Sequence, residues 1–585
     1  MVATHKGAVI LALLASIIVA SPQLFLRIDH RSDGIYQGIE LLPDNPWSPR
    51  IREVMDGHGF GSIYYKDSKN DPYIFQPLGS TVVAYIGKVF SLEINNTLLA
   101  SRAILSFIAY LLIYSFVFVL SRDKLVALCG ASLLVLADAV MNLSGLARLI
   151  QGISPANFLS ISQPANPAMI LIPFFGFLVS FWFFYTKRDW RLGVLSAFLL
   201  GLNFYNYFYS WTYLYAFGGI LVLLYLVQKK WSEAVRLGSV FLGALVVAIP
   251  YVINLNKASA YPIFTDISMR LGIVLTHTPL WVGSMVIAAL GIFLVGFPRK
   301  DGGKYLFGLA LLLTPFITMN QQLFTGKEMQ AAHYHWYFHK PMAILFIVMT
   351  GFYVLAWFQK RFSNELGRLN IAWLRPVFAA LIIVASFATG VFVQAASYYS
   401  GPGDGGSVAV ERQKYGPVMQ WLNQSAVKEE VVLANDPVSY AVAVYTPLNV
   451  YYHRAALYSL SATEERLLDT IFTFYRLRGV DSKNVRQVFF AERAYISANL
   501  YGIYYRQFAG SYEAIPDEEL NRMASLYENT FAAPASVWLK QILTKYEVNY
   551  IVWDKKANPD WQVQKYPFFK EAAVFGDLGI YRFQQ

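Results

Sequence analysis

Eleven apolar stretches, each near the length that crosses a bilayer, divide the first 396 residues, and no other feature constrains the fold as strongly. A spanning helix needs about 17–25 mostly apolar residues. The stretches lie near 7–26, 97–120, 125–141, 166–185, 192–208, 211–227, 237–254, 279–297, 305–319, 341–358 and 376–396. Composition agrees: 56% of residues are hydrophobic and 15% charged, against about 25% charged in soluble proteins. Disorder, a disulfide-stapled module and an ordinary soluble enzyme are excluded. The single cysteine, Cys129, forms no intramolecular disulfide and no cysteine-clustered metal site. The expected fold class is a polytopic α-helical membrane protein of about 11 spans.

The net charge of +11 is unevenly divided. Residues 397–585 carry 19 Lys+Arg against 20 Asp+Glu, a net of −1, so residues 1–396 carry +12. The basic excess therefore reads as membrane topology and contact with membrane lipids, with no nucleic acid as partner. Alternate short loops, with Lys6, hold sixteen Lys+Arg, and the opposite short loops hold five: Arg148, Lys257, Arg270, Lys327 and Lys340. This bias predicts a cell-membrane, multi-pass chain with a cytoplasmic N-terminus, an odd number of spans and an extracytoplasmic C-terminus. The first stretch is long for a signal peptide, and Ser21-Pro22-Gln23 is a poor cleavage site, so an uncleaved anchor is expected.

The domain reading is a transmembrane domain over 1–396 that includes a first extracytoplasmic loop at 27–96, a linker at 397–407, and an extracytoplasmic α/β domain at 408–585. Ser400-Gly-Pro-Gly-Asp-Gly-Gly-Ser407 carries the flexible-linker composition. In the tail, Val431–Ala434, Asn449–Tyr452 and Asn549–Trp553 read as buried strands, and 462–479, 483–507, 516–529 and 534–546 as helices. A hairpin is expected between Ala572–Phe575 and Ile580–Phe583. No glycine-rich phosphate loop follows any strand.

Groups able to do chemistry gather in the loops predicted to face outward. The first loop begins Arg27-Ile28-Asp29-His30-Arg31-Ser32-Asp33-Gly34-Ile35-Tyr36. A carboxylate at the membrane edge is solvated, paired or put to use, and solvation with arginine pairing is the plain reading of Asp29 and Asp33. Asp44 follows, then Arg50, Arg52 and Glu53, which fit an amphipathic helix on the membrane surface; arginine there either grips phosphate or snorkels. Gln76 closes the set. Arg148 is the lone charge of the second outward loop, suited to an anionic ligand or a lipid headgroup. Residues 320–340 hold His333, His335 and His339 among aromatics. His335 and His339 have helical metal-ligand spacing but no matching acid or cysteine, and an aromatic interface belt is the simpler reading.

These residues together resemble the GT-C glycosyltransferases, which include the protein O-mannosyltransferases, the aminoarabinose transferases and the catalytic subunit of oligosaccharyltransferase. The likeness rests on the layout of about 1–400: an early acid after the first span, many spans, then a tail. Asp33-Gly34-Ile35-Tyr36 resembles the family's Asp-x-x-Tyr, and Arg50-Ile51-Arg52-Glu53-Val54 a stretch of oligosaccharyltransferase-like relatives. Asn320-Gln321-Gln322 with Thr325-Gly326 and His333-Tyr334-His335 is similar to a segment of bacterial members. The tail lacks Trp-Trp-Asp-Tyr-Gly, and Asp33 lacks an adjacent acid.

The resemblance implies transfer of a sugar from a polyprenyl-phosphate donor to a glycan, lipid or protein acceptor outside the cytoplasm. It implies Asp33 as catalytic base and Arg50, Arg148, His333 and His335 as the phosphate clamp. Asp29 and Glu53 would serve substrate, or with Asp71 a divalent ion, and Tyr36 and Gln76 the sugar pocket. No cofactor is required by it, and a divalent metal stays open. The alternative is a non-catalytic transporter or lipid-carrier flippase, whose charges would lie mid-span.

Overall fold

The computed structural model describes residues 5–41, 46–362, 373–399, 405–502 and 515–584. Asp44, most of the 400–407 linker and positions 503–507 lie outside them. Each of the eleven apolar stretches is helical. Among the described residues seven helices are long and apolar enough to cross a membrane: Lys6–Arg31, Ile94–Ser121, Pro164–Lys187, Phe208–Val227, Trp231–Ser259, Ala331–Arg361 and Leu374–Tyr399. Lys124–Leu136, Trp190–Phe204, Ser284–Gly296 and Gly302–Thr318 are shorter. A 13-residue helix rises only about 20 Å, less than the ~30 Å of hydrocarbon, so helix length and composition by themselves count seven crossings and not eleven.

The helices pack into one bundle around a shared core. Small residues set the close approaches: Ala8, Ala12 and Ala15 are buried on one face of the first helix, which packs on Ile94–Ser121. A Cβ at Gly218 would lie 2.1 Å from the Phe241 ring, so that crossing demands glycine. Asp123, Asn142 and Asp189 cap the helices that follow them, as short polar side chains do at helix starts. At the end of the bundle that carries the first loop, β1 (Ile273–Leu275) pairs antiparallel with β2 (Lys327–Met329). This two-stranded link left no alternating signature in the sequence.

The tail is α/β, with β3 (Val431–Ala434), β4 (Asn449–Val450), β5 (Val548–Asp554), β6 (Phe569–Phe575) and β7 (Leu578–Phe583) in the order β4-β3-β5-β7-β6. The first three are parallel, and β7 and β6 close the sheet as the expected hairpin. Because side chains alternate along a strand, Val432 faces the bundle-side core while Leu433 faces the tail's own core. The bundle-side core runs without a break from the membrane helices through Val418, Leu422, Val432 and Ile580.

The first loop is the layer between bundle and tail. The helix Trp47–Met55 forms as expected, but it packs on the tail helix Asp436–Tyr445, not on a membrane surface. Arg50 is 3% exposed, so it is neither a snorkelling anchor nor a surface clamp. Its guanidinium lies over Trp47, Phe60 and Phe75, and Nη2 donates to the Phe75 carbonyl at 2.7 Å. Across the same seam, Val450 N–H donates to the Tyr64 carbonyl at 2.8 Å, covering the sheet's β4 edge. Arg466 meets Asp67 at 2.7 Å, and Arg270 donates to the Leu457 and Ala462 carbonyls.

Candidate functional site

The helix Lys124–Leu136 ends in an apolar run, and Asp138 begins the short turn after it. This acid was not singled out by spacing or motif. Its carboxyl accepts from Ser160 Oγ, while Oδ1 is shielded from solvent and has no hydrogen-bond partner. Burial pushes the Asp138 pKa up. Its charge reaches the Tyr337 phenol. The Tyr337 ring lies 5.8 Å from Tyr207 and 6.0 Å from His333, and Tyr207 OH is hydrogen-bonded to His333 Nδ1. Asn166 lies beside Tyr207, with its Oδ1 also buried and unpartnered. Two buried acceptors without donors stand in one aromatic setting. A ligand rich in hydroxyl donors would satisfy both.

A second polar group adjoins through the segment Ser160–Ser162. Arg102, on the helix Ile94–Ser121, donates through Nε to the Ser162 carbonyl at 3.0 Å and through Nη1 to Glu40 Oε2 at 2.5 Å. Glu40 is 1% exposed and Arg102 4%. Arg27 approaches the other Glu40 oxygen at 3.6 Å, and Gln394 reaches Ser162 Oγ at 3.1 Å. Glu40 N–H donates to the Tyr445 hydroxyl, which ties this group to the tail.

Asp33 sits elsewhere. It lies on an exposed turn, accepts from Ile35 N–H at 3.0 Å and pairs with His30 Nδ1 at 3.0 Å. Both bonds favour its ionised form, and its pKa is lowered. Asp29 accepts from Tyr399 OH at 3.3 Å. Tyr36 lies under Arg27, 5.7 Å from the ring centroid. Gln76 lies beside Tyr251. Glu53 is buried and takes His58 at 2.7 Å and Lys69 at 2.6 Å; His58 then reaches Glu429 of the tail at 2.9 Å. Arg148 is exposed on the helix Leu143–Ile150, beside exposed Leu143 and Ile150. His335 packs on Gly283. Among the described residues, no hydrogen bond, ion pair or ring contact joins Asp33, Arg50, Arg148 and His333 to one another, and no three His, Cys, Asp or Glu side chains converge as a metal site. Of the sequence-derived set, His333 alone joins the Asp138 cluster.

The arrangement invites comparison with known folds. Arabinofuranosyltransferase AftD from Mycobacteria aligns with 100% of this chain at a TM-score of 0.50 and 11% identity. The likeness to AftD is one of fold. The chain spans 40% of the length of AftD. The Archaeoglobus fulgidus oligosaccharyltransferase in its apo form aligns over 95% of this chain and 70% of its own, with a TM-score of 0.48 and 14% identity. The same enzyme tethered to an acceptor peptide containing the NVT sequon gives 95%, 69%, 0.47 and 12%. No protein-family model and no curated protein sequence matches the chain. Seven helices long and apolar enough to cross a membrane make this a multi-pass membrane protein.

Proposed function

We propose that this protein is a membrane glycosyltransferase that moves a sugar from a polyprenyl-phosphate donor to an acceptor on the extracytoplasmic side. The observation that carries the reading is the Asp138 carboxyl at the end of the bundle, with one oxygen shielded and unpartnered and its charge reaching Tyr337, whose ring packs on Tyr207 and His333. The charge bias of the loops puts that end outside the cytoplasm, with eleven crossings and the N-terminus inside.

In the reaction the acceptor oxygen bonds to the anomeric carbon and the bond from that carbon to phosphate oxygen breaks. The acceptor proton passes to a carboxylate, and polyprenyl phosphate leaves with the electron pair. A base works best with a pKa near the working pH. Burial moves Asp138 toward that range, whereas the hydrogen bonds of Asp33 move it away. Asp138 is therefore the favoured base, and Asp33 stays the accessible carboxylate of the first loop. Arg148, on its amphipathic helix, suits the lipid-phosphate headgroup.

The test is release of polyprenyl phosphate from a panel of polyprenyl-phosphate sugars in membranes bearing each variant. Asp138→Asn should lose about 100-fold or more, the usual span for a general base, and Asp33→Asn only a few-fold. The reverse order would return the base to Asp33. Full turnover in both variants would remove both carboxyls from the chemistry.

A further inference from the structure

The three parallel strands of the tail all end at one edge of the sheet. In open α/β sheets, ligands settle in the crevice beyond the carboxyl ends of such strands. Here that crevice is a cavity of about 760 Å³. The chain leaving β3 supplies Asn435 and Asp436, and the chain leaving β4 supplies Arg454. The chain leaving β5 supplies Asn558, Asp560 and Trp561. Its wall is completed by Phe474, Arg478, Glu492 and Tyr495.

The charges in this lining are already matched. Arg478 donates to both Glu492 oxygens at 2.8 and 2.7 Å and to Asp560 at 2.7 Å. Arg454 lies 3.4 Å from Asp436. Among the described lining residues, two arginines and His453 face three carboxylates, with Arg478, Arg454 and His453 each beside an acid, and no glycine-rich loop follows the strands. A nucleotide or a polyanion is disfavoured. The remaining surface is of another kind. Phe474 and Trp561 stack at 5.6 Å and 21° to form one aromatic wall. Tyr495 is 48% exposed, so its ring is accessible. Asn435 donates to Asn558 Oδ1 at 2.8 Å, which occupies the acceptor of that amide and not its donors. Carboxylates and amides for hydroxyl groups, with aromatic rings for C–H faces, are the complement of a sugar.

We infer that the tail carries a second binding site, for a neutral oligosaccharide, in the crevice at the carboxyl ends of β3, β4 and β5. The site does not depend on the transfer chemistry proposed above. Its only described lining residue from outside the tail is Pro46, in the first loop.

The experiment uses the full chain in detergent micelles and measures binding of hexasaccharides of mannose, glucose and galactose, with ATP and hexagalacturonate as anionic competitors. At least one neutral hexasaccharide should bind with Kd at or below about 1 mM, and Tyr495→Ala should weaken it about tenfold, the loss expected for one ring contact. Asp436→Asn should weaken it as well. If Tyr495→Ala lowers the melting temperature, Asn558→Ala replaces it. The inference is overturned if none of the three sugars binds, if neither substitution alters binding, or if ATP or hexagalacturonate displaces the sugar. Asp138→Asn should leave sugar binding unchanged, so failure here and failure of the transfer mechanism read out separately.

Discussion

The Asp138 cluster at the bundle end and the crevice in the tail both join aromatics with carboxyls, yet they are built on opposite electrostatic terms. In the tail, Arg478 and Arg454 neutralise their acids in place. At the bundle end, Asp138 keeps one oxygen shielded and unpartnered, with its charge reaching the Tyr337 phenol. A matched set of charges can hold a ligand but has little drive to move a proton. An unmatched buried carboxyl has the shifted pKa that proton transfer uses. The contrast separates binding from chemistry within one chain.

The contrast can be broken at its strongest point first. Arg102→Ala would leave Glu40 buried without its main partner, at a cost of about 3–5 kcal/mol. Loss of folded protein, read by thermal unfolding in detergent, is the expected result. Arg486→Ala, which frees Glu528 on the tail surface, should cost under about 1 kcal/mol. Equal effects would mean that the bundle end is no more tightly built than the tail surface. Next in size is Asp138→Asn, with a loss of about 100-fold or more in polyprenyl-phosphate release and sugar binding in the tail unchanged. Tyr495→Ala should show the inverse pattern, with weakened hexasaccharide binding and near-normal donor turnover.

The smallest effect lies at the seam between the two regions. Hydrogen bonding to Glu53 raises the His58 pKa, and the bond from His58 lowers that of Glu429. The raised His58 contributes fully below its ordinary value of 6.5 and fades as pH rises through its folded value. The lowered Glu429 contributes fully above 4.5 and fades as pH falls through its folded value. Stability from this contact should therefore be greatest between those two values, by less than about 1 kcal/mol for so exposed a partner. His58→Gln should flatten the dependence of melting temperature on pH across that window. A wild-type curve already flat there would show that this contact does not hold the seam.

The membrane helices were legible in the residue order because lipid offers no hydrogen bonds: a long apolar segment must satisfy its backbone internally, and a helix does so. The strands Val431–Ala434 and Val548–Asp554 were legible for a related reason, being short apolar runs buried on both faces. The helix Asp436–Tyr445 was missed although Asn435 caps it and Pro437 sits in its first turn; both signals were in the sequence. The site was far less legible. Arg50 looked like a surface clamp because its neighbours in sequence are polar, while the rings that cover it include Phe75, which is 25 residues away.

Residue order by itself determined which segments are apolar helices, which end of the chain is α/β, and how charge divides between them, since each follows from local periodicity and transfer free energy. Only the tertiary structure decided that Glu40 meets Arg102 across 62 positions, that one Asp138 oxygen is shielded with its charge reaching Tyr337, and that three strand ends open on one cleft. Those pairings depend on which distant groups lose water together. No local pattern encodes that loss, because desolvation belongs to the place where side chains meet and not to their order along the chain.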